Sequence, residues 1–336
     1  MNIALTRFAA FMLVTGMFTA CSSIDGASHN SAPSRQIFSP YKYIRNNMAS
    51  NQNQLIIGVT GKSAPLLDVI PKQLKTITLA FATGECGEEH WDGLSGAVFA
   101  EANMPSLARK EINYIISTGG QAGSFTCSSD ARFKKFIERY HSAQLSGFDF
   151  DIEASQTEEQ INQLIQRVKQ AQKIYPNLRF SFTLPTLAIV DKPALGAIGL
   201  TVMQAIKNAE LDDYYINLMV MDYGVSSTDA CVLGADARCD MGASAIQAAM
   251  NLNRYFGVPF DHIELTPMIG GNDTEDEVFT LNDIATMTLF AQKNHLAGVH
   301  FWSLDRDVDC PPGPASPDCN SYGKAGLFGF TNTFLK

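Results

Sequence analysis

The residues best placed to do chemistry are three carboxylates in a row. In Ser146-Gly147-Phe148-Asp149-Phe150-Asp151-Ile152-Glu153, acidic and apolar residues alternate strictly. A β-strand with this pattern carries Asp149, Asp151 and Glu153 on one face, stepped about 6–7 Å apart, and Phe148, Phe150 and Ile152 on the other. If the acidic face is enclosed, the three cannot all ionise. Burial and close like charges raise a carboxyl's pKa, and protons are shared along the row. A carboxylic acid kept protonated near neutral pH is what protonating the leaving oxygen of a glycoside requires. The competing explanation is an exposed edge strand with a charged solvent face.

The elements around this row decide between the two. Short β-rich runs recur as TITLAFA from 76, INYIIST from 112, GFDFDIE from 147, RFSFTL from 179, YINLMVM from 215, HIELTPMI from 262 and GVHFW from 298. The spacing leaves room for one helix between successive strands. Four of the gaps, SDARFKKFIERYHSAQ, TEEQINQLIQRVKQAQ, MGASAIQAAMNLNRYF and TLNDIATMTLFAQKN, repeat apolar residues every three or four positions. A strand flanked by helices lies inside an α/β layer, so its second face looks into the interior. An eighth strand is expected near the start, in QIFSPYKY or QLIIGV. Alternating units of this number suit a closed (β/α)8 TIM barrel. The open doubly wound sheet is less suited, because no GxGxxG or GxxxxGK[ST] element follows any strand.

The segment SGFDFDIE resembles the Asp-Gly-x-Asp-x-Asp-x-Glu signature on the fourth barrel strand of glycoside hydrolase family 18, the chitinases. Ser146 stands where the signature begins with Asp, and the three later acids are kept. TLAFATGEC, ISTGGQAG, TLP, LMVMDYG, LTPMIGGND and HFWSLDRD fit strands two, three, five, six, seven and eight in order, so the resemblance spans about residues 76 to 305. The Met-Asp-Tyr ending of strand six is similar to one bacterial branch. The resemblance implies retaining hydrolysis of N-acetylglucosamine polymers by substrate assistance. Glu153 would be the acid and then the base, Asp151 would orient the acetamide N–H, and Asp149 would tune Asp151 by sharing its proton. Asp222 and Tyr223 would hold the acetamide carbonyl. Trp302 would stack under a sugar ring, and Met219 and Met221 would form an apolar floor, with plain barrel core the alternative for the two methionines.

Other features are open to two readings. Trp91 suits a sugar platform or packing beside Cys86. Gly119-Gly120 permits a close backbone approach or a plain turn. Asp305, Arg306 and Asp307 suit a loop ion-pair cluster or a rim contact. Only about 30 residues separate strands seven and eight, enough for one helix. The α+β insertion found there in some family members is therefore not expected, and a shallow groove favouring internal cleavage follows.

Residues 1–21 read as an export signal: Arg7, an apolar run from Phe8 to Ala20, then Cys21. Phe18-Thr19-Ala20-Cys21 resembles a bacterial lipobox, making Cys21 the expected lipidation site; simple cleavage near Ala20 is the alternative. Residues 22–36 are polar and Ser-rich, a tether ahead of the catalytic barrel at 37–336. Export makes disulfides plausible: Cys86 with Cys127 between two loops, and Cys231 with Cys239 and Cys310 with Cys319 within loops, although spacing alone does not choose among the pairings. No Cys-x-x-Cys or His-x-x-x-His spacing supports a metal, and no cofactor is expected. The net charge of −9 argues against nucleic acid or anionic lipid as partner. The expectation is a monomeric enzyme acting on chitin or chitooligosaccharides, exported to the bacterial envelope or secreted, and touching membrane only through an N-terminal lipid. Two alternatives share the fold: an endo-β-N-acetylglucosaminidase acting on glycoproteins, and a lectin that binds chitin without cutting it. The presence of Glu153 argues against the lectin.

Overall fold

The computed structural model describes residues 36–44, 52–153 and 156–336. The expected export signal, Cys21 and the expected tether up to residue 35 lie outside the described residues. Eight parallel strands form a ring. β1 has two pieces, Ile37–Phe38 and Tyr41–Tyr43. It is followed by β2 (Thr76–Ala82), β3 (Asn113–Gly119), β4 (Leu145–Asp151), β5 (Arg179–Pro185), β6 (Tyr215–Met219), β7 (Ile263–Thr266) and β8 (Gly298–Val299).

Closure is achieved by β1. Its first piece pairs with β8 and its second with β2. The interruption falls at Ser39-Pro40, where proline has no N–H for the ladder. The strand direction persists: Tyr41 N–H donates to Phe301 O and Thr78 N–H to Pro40 O, both at 3.0 Å. QIFSPYKY is therefore the first barrel strand. QLIIGV instead supplies Ile56–Ile57, which pairs antiparallel with Ala64–Pro65.

A helix follows each strand: α1 (Leu66–Val69), α2 (Gly96–Arg109), α3 (Asp130–Tyr140), α4 (Glu158–Gln172), α5 (Ala197–Ala209), α6 (Met241–Phe256), α7 (Leu281–Lys293) and α8 (Gly329–Phe334). The four periodic segments become α3, α4, α6 and α7. Ser129 caps α3, Asp240 caps α6, and Thr157 and Thr280 form capping boxes with Gln160 and Asp283. Between β7 and β8 lie a short antiparallel pair, Gly270–Gly271 with Val278–Phe279, and α7, so no α+β domain is inserted there.

β4 is hydrogen-bonded on both sides, to β3 and to β5, which removes the edge-strand explanation of its acidic face. Its apolar face packs outward. Phe148 and Phe150 are buried against Phe133 and Phe136 of α3 and Phe180 and Phe182 of β5. Burying each such ring is worth roughly 1.5–3 kcal/mol, enough to fix the register, because a one-residue slip would bury the acids against the helices.

Candidate active site

Asp149 sits in the barrel interior, 2% exposed, and accepts four hydrogen bonds from hydroxyls. Tyr41 Oη (3.0 Å) and Ser117 Oγ (2.6 Å) donate to Oδ2; Ser181 Oγ (2.8 Å) and Thr183 Oγ1 (2.7 Å) donate to Oδ1. Asn217 Nδ2 donates to Tyr41 Oη and Thr183 Oγ1 at 2.9 and 2.8 Å, and Thr266 Oγ1 donates to Asn217 Oδ1 at 2.8 Å. Hydroxyls from three strands, β1, β3 and β5, thus converge on one carboxylate, and β6 and β7 join the network one and two bonds further out.

One step further along β4, Asp151 is 5% exposed and its Oδ1 has no hydrogen-bond partner among the described residues. Burial, then the charges of Glu153 and Asp149, hold it well above the usual carboxyl range. Glu153 is half-buried just beyond the strand, and its pKa is raised by burial and then by the charge of Asp222. Asp222 follows β6 with a left-handed φ of 50°, and Thr274 N–H donates to its Oδ1 at 3.1 Å. Burial raises its pKa and that N–H partly offsets the rise.

Asp151, Glu153, Asp222, Met219, Met221 and Trp302 all line one cavity of about 970 Å3 at the C-terminal ends of the strands. Trp302 forms part of its floor, its ring centroid 5.6 Å from Phe81 in a near-parallel stack (16°) and 5.2 Å from Tyr43. Gly119 and Gly120 have φ of 88° and 80°. A Cβ on Gly119 would enter the carbonyl oxygen of Asp151, and one on Gly120 would lie 2.8 Å from the Phe81 ring. Close approach, not merely a turn, therefore explains this pair: it lets β3 hold the main chain of β4 at Asp151.

The structure does not bring Tyr223 into the cavity. It is 4% exposed, belongs to the hydrophobic cluster behind β6, and its hydroxyl has no partner among the described residues. Its N–H donates to Glu277 Oε2 at 3.1 Å, anchoring the loop that carries Asp222. Trp91 is fully buried, stacked on Phe99 at 4.0 Å with Nε1 donating to Tyr140 Oη, which is the packing role. Asp305 pairs with Lys42 at 2.6 Å, while Asp307 accepts from Phe330 N–H and Thr331 N–H. Arg306, 1% exposed, lines the cavity and donates to the carbonyls of Ile269, Gly271 and Ser316.

The cavity walls come from loops closed by disulfides. Cys86–Cys127 ties the loops after β2 and β3; Cys231–Cys239 and Cys310–Cys319 close the loops after β6 and β8. Ala315, Ser316 and Pro317, inside the last loop, line the cavity directly. The hydroxyl cradle of Tyr41, Ser117, Ser181 and Thr183 went unread in the sequence. Its one signal is isolated hydroxyl residues inside otherwise apolar runs, as in INYIIST and RFSFTL.

No family model matches the chain. It is 26% identical over 213 residues to the "Probable bifunctional chitinase/lysozyme" of Escherichia coli (58% of this chain, 23% of that protein). It is 26% identical over 222 residues to Endochitinase 11 of Metarhizium anisopliae (61% of this chain, 41% of that protein). The chain thus spans less than half the length of either curated relative. A catalytic-site mutant of active domain 2 of the thermostable chitinase from Pyrococcus furiosus, complexed with chito-oligosaccharides, superposes with a TM-score of 0.69 at 24% identity, covering 89% of this chain and 93% of that one. These matches bear out the expected (β/α)8 fold and show a similarity to proteins named as chitinases.

Proposed function

We propose that the protein is an endo-acting chitinase that hydrolyses β-1,4 bonds between N-acetylglucosamine units with retention. The observation that carries this reading is the enclosed row Asp149, Asp151, Glu153, whose last two members face a cavity floored by Trp302. In this mechanism a sugar ring rests on Trp302 and its acetamide oxygen attacks the anomeric carbon. Glu153 protonates the departing oxygen, helped by the raised pKa that keeps its proton available towards neutral pH. Asp151 turns from its unpartnered position to accept the acetamide N–H. Asp149 is held in place one step behind Asp151 by its hydroxyl cradle, and Asp222 with Met221 bounds the acetamide side. Glu153 then takes a proton from the water that opens the oxazolinium ion.

Hydrolysis of chitotetraose by the chain from residue 22 onward, beside Glu153→Gln, tests acid and substrate together. Cleavage by the first and a loss of roughly a hundredfold or more in the second is the expected result. Binding by both without cleavage would point to the lectin instead.

The three disulfides are those of a protein matured outside the reducing cytoplasm. We further infer export through residues 1–21, lipidation at Cys21, and a monomeric catalytic unit at 37–336. Fatty-acid labelling that is lost in Cys21→Ala tests the anchor. No helix among the described residues is long and apolar enough to cross a membrane.

A further inference from the structure

The loop after β7 is held by two side chains that share its carbonyls in alternation. Met268 O and Gly270 O accept from Asn272 Nδ2 at 3.0 and 3.1 Å, while Ile269 O and Gly271 O accept from Arg306 Nη2. The far end of the same loop holds Asp222. Asn272 Oδ1 accepts the Asp222 N–H at 3.3 Å, and Thr274 N–H donates to Asp222 Oδ1 at 3.1 Å.

The other Nη of Arg306 donates to Ser316 O, inside the loop closed by Cys310–Cys319, so one buried guanidinium joins the loops after β7 and β8. A planar fork suits carbonyls on two loops, whereas a lysine ammonium offers a single point charge on a flexible stem. Arg306 is also the sole Lys or Arg among the described residues that line the cavity, where Asp92, Asp151, Glu153, Asp222 and Asp273 supply negative charge. Burial lowers its pKa to about 10 and the charges of Asp273 and Asp222 oppose the fall, so it stays cationic at neutral pH. Burial raises the pKa of Asp222, and the N–H groups of Thr274 and Asp273 and the charge of Arg306 counter that rise. Arg306 thus acts on Asp222 both through the shape of the loop after β7 and through its charge.

We infer that Arg306 is a positioning residue for the cleavage: its Nη groups are spent on the main chain, and by bracing the loop after β7 it fixes where Asp222 stands against Glu153 and the acetamide of the substrate. This rests on the reading of Glu153 as the proton donor and of Asp222 as bounding the acetamide. The influence of Arg306 on kcat then passes through the Asp222 side chain, whereas its grip on Ser316 acts on the cavity wall and so on KM.

The test is a double-mutant cycle on chitotetraose. Arg306→Gln and Arg306→Lys are each made in the wild type and in Asp222→Ala, with kcat taken on the fraction recovered folded. Gln keeps a donor without the charge, and Lys keeps the charge without the fork. In the wild type each is expected to cut kcat about tenfold or more, because small misplacements at a reacting centre cost this much, and Gln should cost more than Lys. In Asp222→Ala the same changes are expected to move kcat by no more than about twofold, since the side chain they position is gone. A brace that merely holds the fold together would cost as much in both backgrounds. That result, a kcat that does not fall in the wild type, or loss of the folded state with both Gln and Lys would overturn the inference and leave the hydrolase intact. Failure of the wild type to cut chitotetraose would overturn both.

Discussion

Glu277 lies on the loop after β7, is 1% exposed, and grips the backbone of the loop that carries Asp222. Burial pushes its carboxyl up from 4.5 to about 7; the N–H of Tyr223 opposes the rise and the charge of Asp222 adds to it. A carboxyl that holds its proton more tightly when folded contributes stability that is complete below the unfolded value and is lost as pH rises through the folded one. At ~1.4 kcal/mol per pH unit, the folded protein should lose about 3 kcal/mol through this group between pH 4.5 and 7. Glu277→Gln keeps the shape and an acceptor oxygen but cannot titrate. Urea denaturation of both proteins at pH 5 and pH 8 isolates the effect, because all other groups cancel in the difference. The wild type minus Gln stability difference should fall by roughly 2–3 kcal/mol between the two pH values. An unchanged difference would refute the reasoning, since it would mean that Glu277 is ionised at both.

Three other outcomes are expected. Tyr223→Phe removes a buried hydroxyl with no partner, so stability should hold or rise by up to ~1 kcal/mol and kcat/KM should stay within about twofold; a hundredfold loss would return Tyr223 to the site. Gly119→Ala forces a side chain into a left-handed residue and into the Asp151 carbonyl. It should cost upwards of ~3 kcal/mol in denaturant titration, with activity falling alongside. Replacing Cys310 and Cys319 by serine frees the wall at Ala315 to Pro317, which should destabilise the protein by about 2–3 kcal/mol and raise KM severalfold with little change in kcat. A fall in kcat with KM unchanged would instead place that loop's influence on the chemical step.

Most of the frame was legible because burial imposes periodicity. α3, α4, α6 and α7 announce themselves by apolar spacing and capping residues. α2 and α5 are less plain: α2, although capped by Ser95, carries Pro105 within it, and α5 opens after Gly196 with no side-chain cap. The choice between QIFSPYKY and QLIIGV could not be made locally, because what makes the first a barrel strand is pairing with β8 and β2 at opposite ends of its length. Pro40 makes that pairing look unlike a strand. The acids of β4 were legible as a row, but their differentiation was not. Asp149 meets hydroxyls from β1, β3 and β5, residues 32 to 108 positions away, while Asp151 has an oxygen meeting none.

Tyr223 shows where alternation stops being a guide. Along β6 and just past it, Met219 and Met221 face the cavity and Val220 the helices, as the period of two requires. Continued as a strand, the period would turn Asp222 outward and Tyr223 inward. The left-handed φ of Asp222 breaks the alternation at that residue, so that Asp222 lines the cavity and Tyr223 packs behind it. An aspartate tolerates this backbone better than most side chains, and Gly224, at φ 94°, completes the turn. The Asp-Tyr-Gly that ends this run thus encodes a reversal of facing as well as chemistry. The residue that does the reversing is the one left facing Glu153, whose pKa its charge helps to raise.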